Sequence, residues 1–151
     1  VKATPLTVKG GCLQRGAANA ASLKRQQDKI VSGINASGAD VLSLEEIENS
    51  AKFGKDRDNA LSILVAALNT AAPGTWDYVR SPATRPAVTD EDVIRTAFIY
   101  KKAVAEPVGG SVILDDAAFT GIARQPLAQA FKMVGAPDAS KVLMIVNHFK
   151  S

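Results

Sequence analysis

A chain of 151 residues supplies one domain or part of one, which sets multi-domain readings aside. Hydrophobic residues at 46% and charged residues at 22% are the balance of a soluble globular chain, so a packed core is within reach and wholesale disorder is argued against. Eighteen Lys and Arg against fifteen Asp and Glu leave a net charge of +3, which permits an anionic partner without demonstrating one.

Residues 1–16 are rich in Gly, Thr and Lys, carry Gly10-Gly11 and Gly16 as breakers, and read as loop. They lack the basic start, apolar stretch and small-residue cleavage site of a secretion signal. Cys12 is the only cysteine, so no intramolecular disulfide forms, and one thiol with one histidine excludes a Cys/His zinc site. No apolar run reaches the ~18 residues that a bilayer span requires. The chain opens on Val1 and closes on Ser151 directly after an apolar segment, which reads as a processed chain or an excerpt.

From Ala17 to Asn35, Leu23, Ile30, Val31 and Ile34 recur at helical spacing, with Lys24, Arg25, Gln27 and Asp28 mostly opposite, predicting an amphipathic helix. Gly38 suits the left-handed position that ends it. Ala39 to Leu44 reads as a short buried strand. Asp56 or Asp58 caps a second helix with the face Leu61, Leu64, Val65 and Leu68, stopped by Pro73-Gly74. Thr75 to Arg80 and Val93 to Tyr100 are β-branched or aromatic and read as extended, with a loop holding Pro82, Pro86 and Asp90-Glu91-Asp92 between them. Val112 to Leu114, Leu127 to Phe131 and Val142 to Val146 are further strands, separated by Gly109-Gly110, Asp115-Asp116 and a Gly135 to Asp138 turn. Helices first and strands later predict an α/β fold with mixed sheets layered against helices.

Three places can carry chemistry. The acidic run Glu45-Glu46-Ile47-Glu48 follows the first strand. Strand alternation sends Glu45 and Glu46 to opposite faces, so that Glu46 and Glu48, but not Glu45 and Glu46, could share a cleft. The run admits two readings, a solvated acidic turn or a seat for a hard cation such as Mg²⁺, which takes one or two carboxylates plus waters and phosphates. His148, the single histidine, ends the last strand beside Asn147 and Lys150, where it is an ordinary strand-end residue or a donor and proton carrier for a phosphate. Arg124, before Pro126, is a surface arginine or a fork for phosphate. Arg95, within a strand, lies half-exposed or pairs with a carboxylate.

Taken in order, Glu45-Glu-Ile-Glu-Asn49 after an apolar strand, Ile94-Arg-Thr-Ala-Phe-Ile-Tyr100, Arg124-Gln-Pro-Leu127 and Ile145-Val-Asn-His-Phe-Lys-Ser151 resemble the endonuclease/exonuclease/phosphatase superfamily. The look is that of its bacterial extracellular nuclease branch, to which Arg15-Gly-Ala17, Arg25-Gln26 and Lys29-Ile30 are also similar. The resemblance runs from Arg15 to Ser151. It implies part of a four-layer α/β/β/α sandwich, with Glu46 holding the catalytic metal and His148 contacting or protonating the scissile phosphate. It also implies that Arg124 approaches substrate phosphate, with Asn147 and Lys150 beside it. In relatives a middle-strand carboxylate orients the histidine; here that position is Ile94, and Asp92 is the substitute. The implied cofactor is Mg²⁺, or Mn²⁺ or Ca²⁺, and the implied partner is nucleic acid, DNA ahead of RNA. The implied location is extracellular or at the cell surface.

The chain lacks the first-strand asparagine, the Asp-x-Asn pair and the terminal Asp-His pair of those relatives. The resemblance therefore implies the first half of a nuclease domain, with little or no activity unless the remainder is supplied, and an uncovered sheet edge open to self-association. The alternatives are a phosphatase or phosphodiesterase of the same fold acting on inositol phosphates or phospholipid headgroups, and a non-catalytic module binding anions through Lys and Arg.

Overall fold

A computed structural model describes residues 17–149, so the expected loop at the start, Cys12, Arg15 and Lys150 lie outside the described residues. The chain divides into two compact units, Val1–Gly38 and Ala39–Ser151. In the first, helix α1 covers Ala20–Ala36, close to the predicted span. Asn19 caps it, its side-chain oxygen accepting the Ser22 N–H at 2.9 Å, which satisfies a donor that the first helical turn leaves orphaned. Gly38 then takes φ +74, a conformation open to residues without Cβ at no steric cost. Of the apolar stripe only Ile34 is buried, while Leu23 and Ile30 are exposed.

The second unit is built from six strands and one α-helix. In chain order they are β1 (Val41–Glu48), α2 (Asn59–Ala71), β2 (Trp76–Tyr78), β3 (Ile94–Lys101), β4 (Ala105–Ile113), β5 (Leu127–Met133) and β6 (Val142–Val146). They form two three-stranded sheets, ordered β1-β3-β2 and β4-β5-β6, and every pairing is antiparallel. The class is α/β as expected, but the sheets are not mixed. Most paired strands lie far apart along the chain, with α2 and β2 between β1 and β3 and long loops between β2 and β3 and between β4 and β5.

Period-two alternation along β3 decides the layering. Phe98 and Tyr100 enter the core between the sheets with Val79, Ile113, Leu127, Phe131 and Val146. Phe131 meets both rings edge-on, each at 5.7 Å between centroids, the geometry that opposite ring quadrupoles favour. Ala97 and Ile99 point the other way and are fully buried on the side that α2 covers with Leu61, Val65 and Leu68. Asn69 fixes α2 to β2 by accepting the Trp76 N–H at 2.8 Å and donating to its carbonyl at 2.9 Å. The result is helix on sheet on sheet. The outward side chains of the second sheet, among them Val112, Leu143 and Ile145, are exposed.

Two strands run further than the sequence suggested. β4 begins at Ala105, although Gly109-Gly110 reads as a breaker, and it carries Pro107 because it is an edge strand where proline costs no ladder bond. The glycines sit in a bulge between Val108 and Val112. β1 continues through Glu48, which places the acidic run within a strand instead of after it.

Tyr100 gives the sandwich a pH-dependent component. Burial first, and then the Asp77 carboxylate 3.4 Å from its hydroxyl, push its phenol above the ordinary tyrosine value, against the opposing pull of Arg80. A raised folded-state pKa adds stability that is complete below about pH 10 and lost as pH rises through the folded value. Denaturant midpoints are therefore expected to fall through this alkaline range, and Tyr100→Phe to flatten the fall; an equally steep fall in the variant would refute the assignment.

Candidate active site

The acidic run is shaped by a β-bulge. Leu44 lies opposite Ala97 and Ile47 opposite Arg95, so Glu45 and Glu46 together face the single residue Thr96. Glu46 absorbs the extra length by adopting φ +59, and it is the only non-glycine residue with positive φ among the described residues. A glutamate in this left-handed conformation carries strain of about 1 to 3 kcal/mol. Replacing Glu46 with glycine is expected to raise unfolding stability by about 1 kcal/mol in chemical denaturation while removing one of the site's two exposed carboxylates. Unchanged or lowered stability would mean that the bulge is not strained.

The bulge overturns the alternation argument. With the local pleat broken, both carboxylates reach the same imidazole: His148 Nε2 is 3.8 Å from Glu45 Oε2 and 3.9 Å from Glu46 Oε1. Glu48, the expected companion of Glu46, instead accepts a 2.8 Å hydrogen bond from Ser50 Oγ. His148 follows β6 of the second sheet and the glutamates sit on β1 of the first, so the pair joins strand ends from both layers. The glutamate side chains are 51% and 71% exposed, whereas His148 is 13% exposed. The separations are too long for hydrogen bonds, and no hydrogen bond engages either carboxylate among the described residues. His148 Nδ1 is buried without a hydrogen-bond partner among the described residues.

Asp92 does not orient that ring. Its carboxylate lies 3.0 Å from Arg124 Nε, angled outside hydrogen-bond geometry, so the two make an ion pair. Asn147 is half-buried beside His148.

Behind the bulge lies a charged network that sequence reasoning saw only in part. Arg57 pairs with Glu91 at 3.0 Å and donates to Ser81 Oγ at 2.8 Å; Ser81 in turn donates to Asp58 at 2.6 Å. Arg95 pairs with Asp58 at 2.8 Å, which resolves its two readings in favour of a carboxylate partner. Burial, then the neighbouring Arg57, pull the Arg95 guanidinium down to about 10 against the attraction of Asp58 and Glu91, leaving it charged at neutral pH. Asp58 occupies the cap position of α2 but makes no side-chain cap bond, its oxygens being committed to Arg95 and Ser81. The buried arginine within an apolar strand was the legible signal; its partner was not.

The donor chemistry fits a hard divalent cation. Two uncommitted, exposed carboxylates match the one or two protein ligands that Mg²⁺ takes when waters and phosphate oxygens complete its shell. Among the described residues no group of three or more His, Cys, Asp or Glu gathers into a self-sufficient ligand set, and none of the helices is long and apolar enough to cross a membrane.

No family model matches the sequence, and no curated protein does. Among solved structures the fold is similar to two crystal structures of ANGEL2, a 2',3'-cyclic phosphatase, the first in complex with adenosine-2',3'-vanadate. Sequence identity is 15% and 16%, the TM-score is 0.42 in both, and 78% of this chain aligns with 30% and 29% of that one. This chain thus matches less than a third of ANGEL2's length.

Proposed function

We propose that the chain carries a divalent-metal-dependent phosphodiesterase site of the endonuclease/exonuclease/phosphatase type, acting on nucleic acid outside the cell. The observation behind this reading is the meeting of Glu45, Glu46 and His148 within 4 Å across two sheets. Glu46, with Glu45 beside it, would hold Mg²⁺ or Mn²⁺, whose chemistry is to polarise a non-bridging phosphate oxygen and stabilise charge building at phosphorus. His148 Nε2 donates to the same phosphate, and the half-buried ring needs little reordering to do so. Arg124 exchanges Asp92 for a neighbouring phosphate, whose oxygens its planar fork can meet with two parallel N–H donors. Lys and Arg contacts to the backbone carry no base-edge information, so cutting is sequence-independent and binding weakens with salt.

The deciding experiment is a Mg²⁺-dependent assay on supercoiled plasmid, single-stranded DNA and RNA, alongside inositol phosphate and phospholipid headgroup substrates. Slow nicking of nucleic acid, raised when the remainder of the domain is supplied, stopped by EDTA and abolished by Glu46→Ala, is the expected result. Preference for a headgroup substrate would move the site to another class, and metal-independent DNA binding untouched by Glu46→Ala would reduce it to an anion-binding module.

A further inference from the structure

Asn49, the residue that ends the acidic run, is fully buried, and its amide ties the run to the segment that carries Asp92. Its Nδ2 donates to Glu91 Oε2 at 2.7 Å and to the Asp92 carbonyl at 3.1 Å, and its backbone N–H donates to the Val93 carbonyl at 2.8 Å. Both side-chain partners can only accept, so the amide has one workable orientation, and that orientation leaves Oδ1 buried without a partner among the described residues. A buried polar atom left unsatisfied is costly, and here the cost accompanies two directed donations from one side chain. Glu91 is fixed from its other side by Arg57, and Asp92 holds Arg124. One side chain therefore links the strand bearing Glu45 and Glu46 to the arm bearing Arg124.

From these contacts we infer that Asn49, through Glu91, is a positioning residue that sets where the Glu45–Glu46 bulge stands relative to His148 and to the Asp92–Arg124 arm. The inference rests on the phosphodiesterase reading for its purpose and on the hydrogen bonds for its mechanism. Misplacement of such groups by about 1 Å is enough to cost roughly 10²-fold in rate.

An exchange of donor and acceptor tests it. Asn49→Asp sets a carboxylate against Glu91, whereas Asn49→Asp with Glu91→Gln restores one donor facing one acceptor and keeps the charge of the pair at one negative. The chain has one histidine, so the ring protons of His148 give one set of NMR signals, read first without metal and then as broadening by added Mn²⁺. In Asn49→Asp the ring signals are expected to shift and the Mn²⁺ broadening to weaken, and the double variant is expected to return both towards wild type. If Asn49→Asp does not fold, a folded double variant with wild-type ring signals is itself the rescue. Wild-type signals and broadening in Asn49→Asp would overturn the inference, as would a double variant no closer to wild type than the single. Hydrolysis abolished by Glu46→Ala alongside an indifferent His148 signal would sink Asn49's role alone. A signal that follows the exchange in a protein that cleaves no phosphodiester would sink the enzymatic reading alone.

Discussion

Glu46→Ala is expected to bring Mg²⁺-dependent phosphodiester hydrolysis to background, at least ~10²-fold below the wild-type chain, the scale lost when a group acting at the reacting phosphate is removed. Two controls give the expectation its content. The fold is expected to survive, because the Glu46 side chain is 71% exposed and makes no hydrogen bond among the described residues. Glu48→Ala is expected to have a much smaller effect on rate, since its carboxylate is spent on Ser50. Glu45→Ala should fall between them: Glu45 lies as near His148 as Glu46 does but is the less exposed of the two. The described site brings two carboxylates and one imidazole together with no third acid to serve as general base, so wild-type turnover is itself expected to be slow. Initial rates on plasmid or on an activated diester, with and without EDTA, check the series. Equal rates for wild type and Glu46→Ala in Mg²⁺ would remove this glutamate from the mechanism.

Asp58→Ala is expected to be the most destabilising single change in the charged network, costing about 3 to 5 kcal/mol out of a total of about 5 to 15 for an ordinary domain. The reason is the charge left behind: Arg95, only 5% exposed, keeps its guanidinium and loses the carboxylate at 2.8 Å, and Ser81 loses the acceptor of both its N–H and its hydroxyl. Removing both partners with apolar residues of similar volume, Asp58→Leu with Arg95→Met, is expected to recover much of that loss, because no buried charge then stands unpaired. Urea midpoints of the two variants separate the cost of breaking the pair from the worth of having it. A single variant that loses less than 1 kcal/mol would show that Arg95 finds another carboxylate; Glu91, also beside Arg57, is the nearest candidate in the network.

Much of the fold was readable in the residues. Hydrophobic periodicity located α1 and α2 to within a few positions, and runs of β-branched and aromatic residues located β3 and β6. Gly109-Gly110 concealed the first half of β4, since local propensity cannot say that glycines will sit in a bulge of a continuing strand. At the site, Glu46 and His148 were singled out from residue type and resemblance, and Asp92 was given the wrong partner. Its distance along the strand from Ile94 suggested a path to the imidazole, but Arg124, from a loop more than thirty residues later, takes the carboxylate.

The sequence alone excluded an intramolecular disulfide and set an acid-rich strand end and a lone histidine roughly a hundred positions apart. Only tertiary structure decided that Glu45 joins Glu46 in facing that histidine. The deciding event is a bulge, in which two residues of β1 pair with one of β3 and Glu46 turns to positive φ. Alternation is a property of one strand and can be read along it; a bulge is a mismatch between two strands, and its position depends on a partner that begins some fifty residues away.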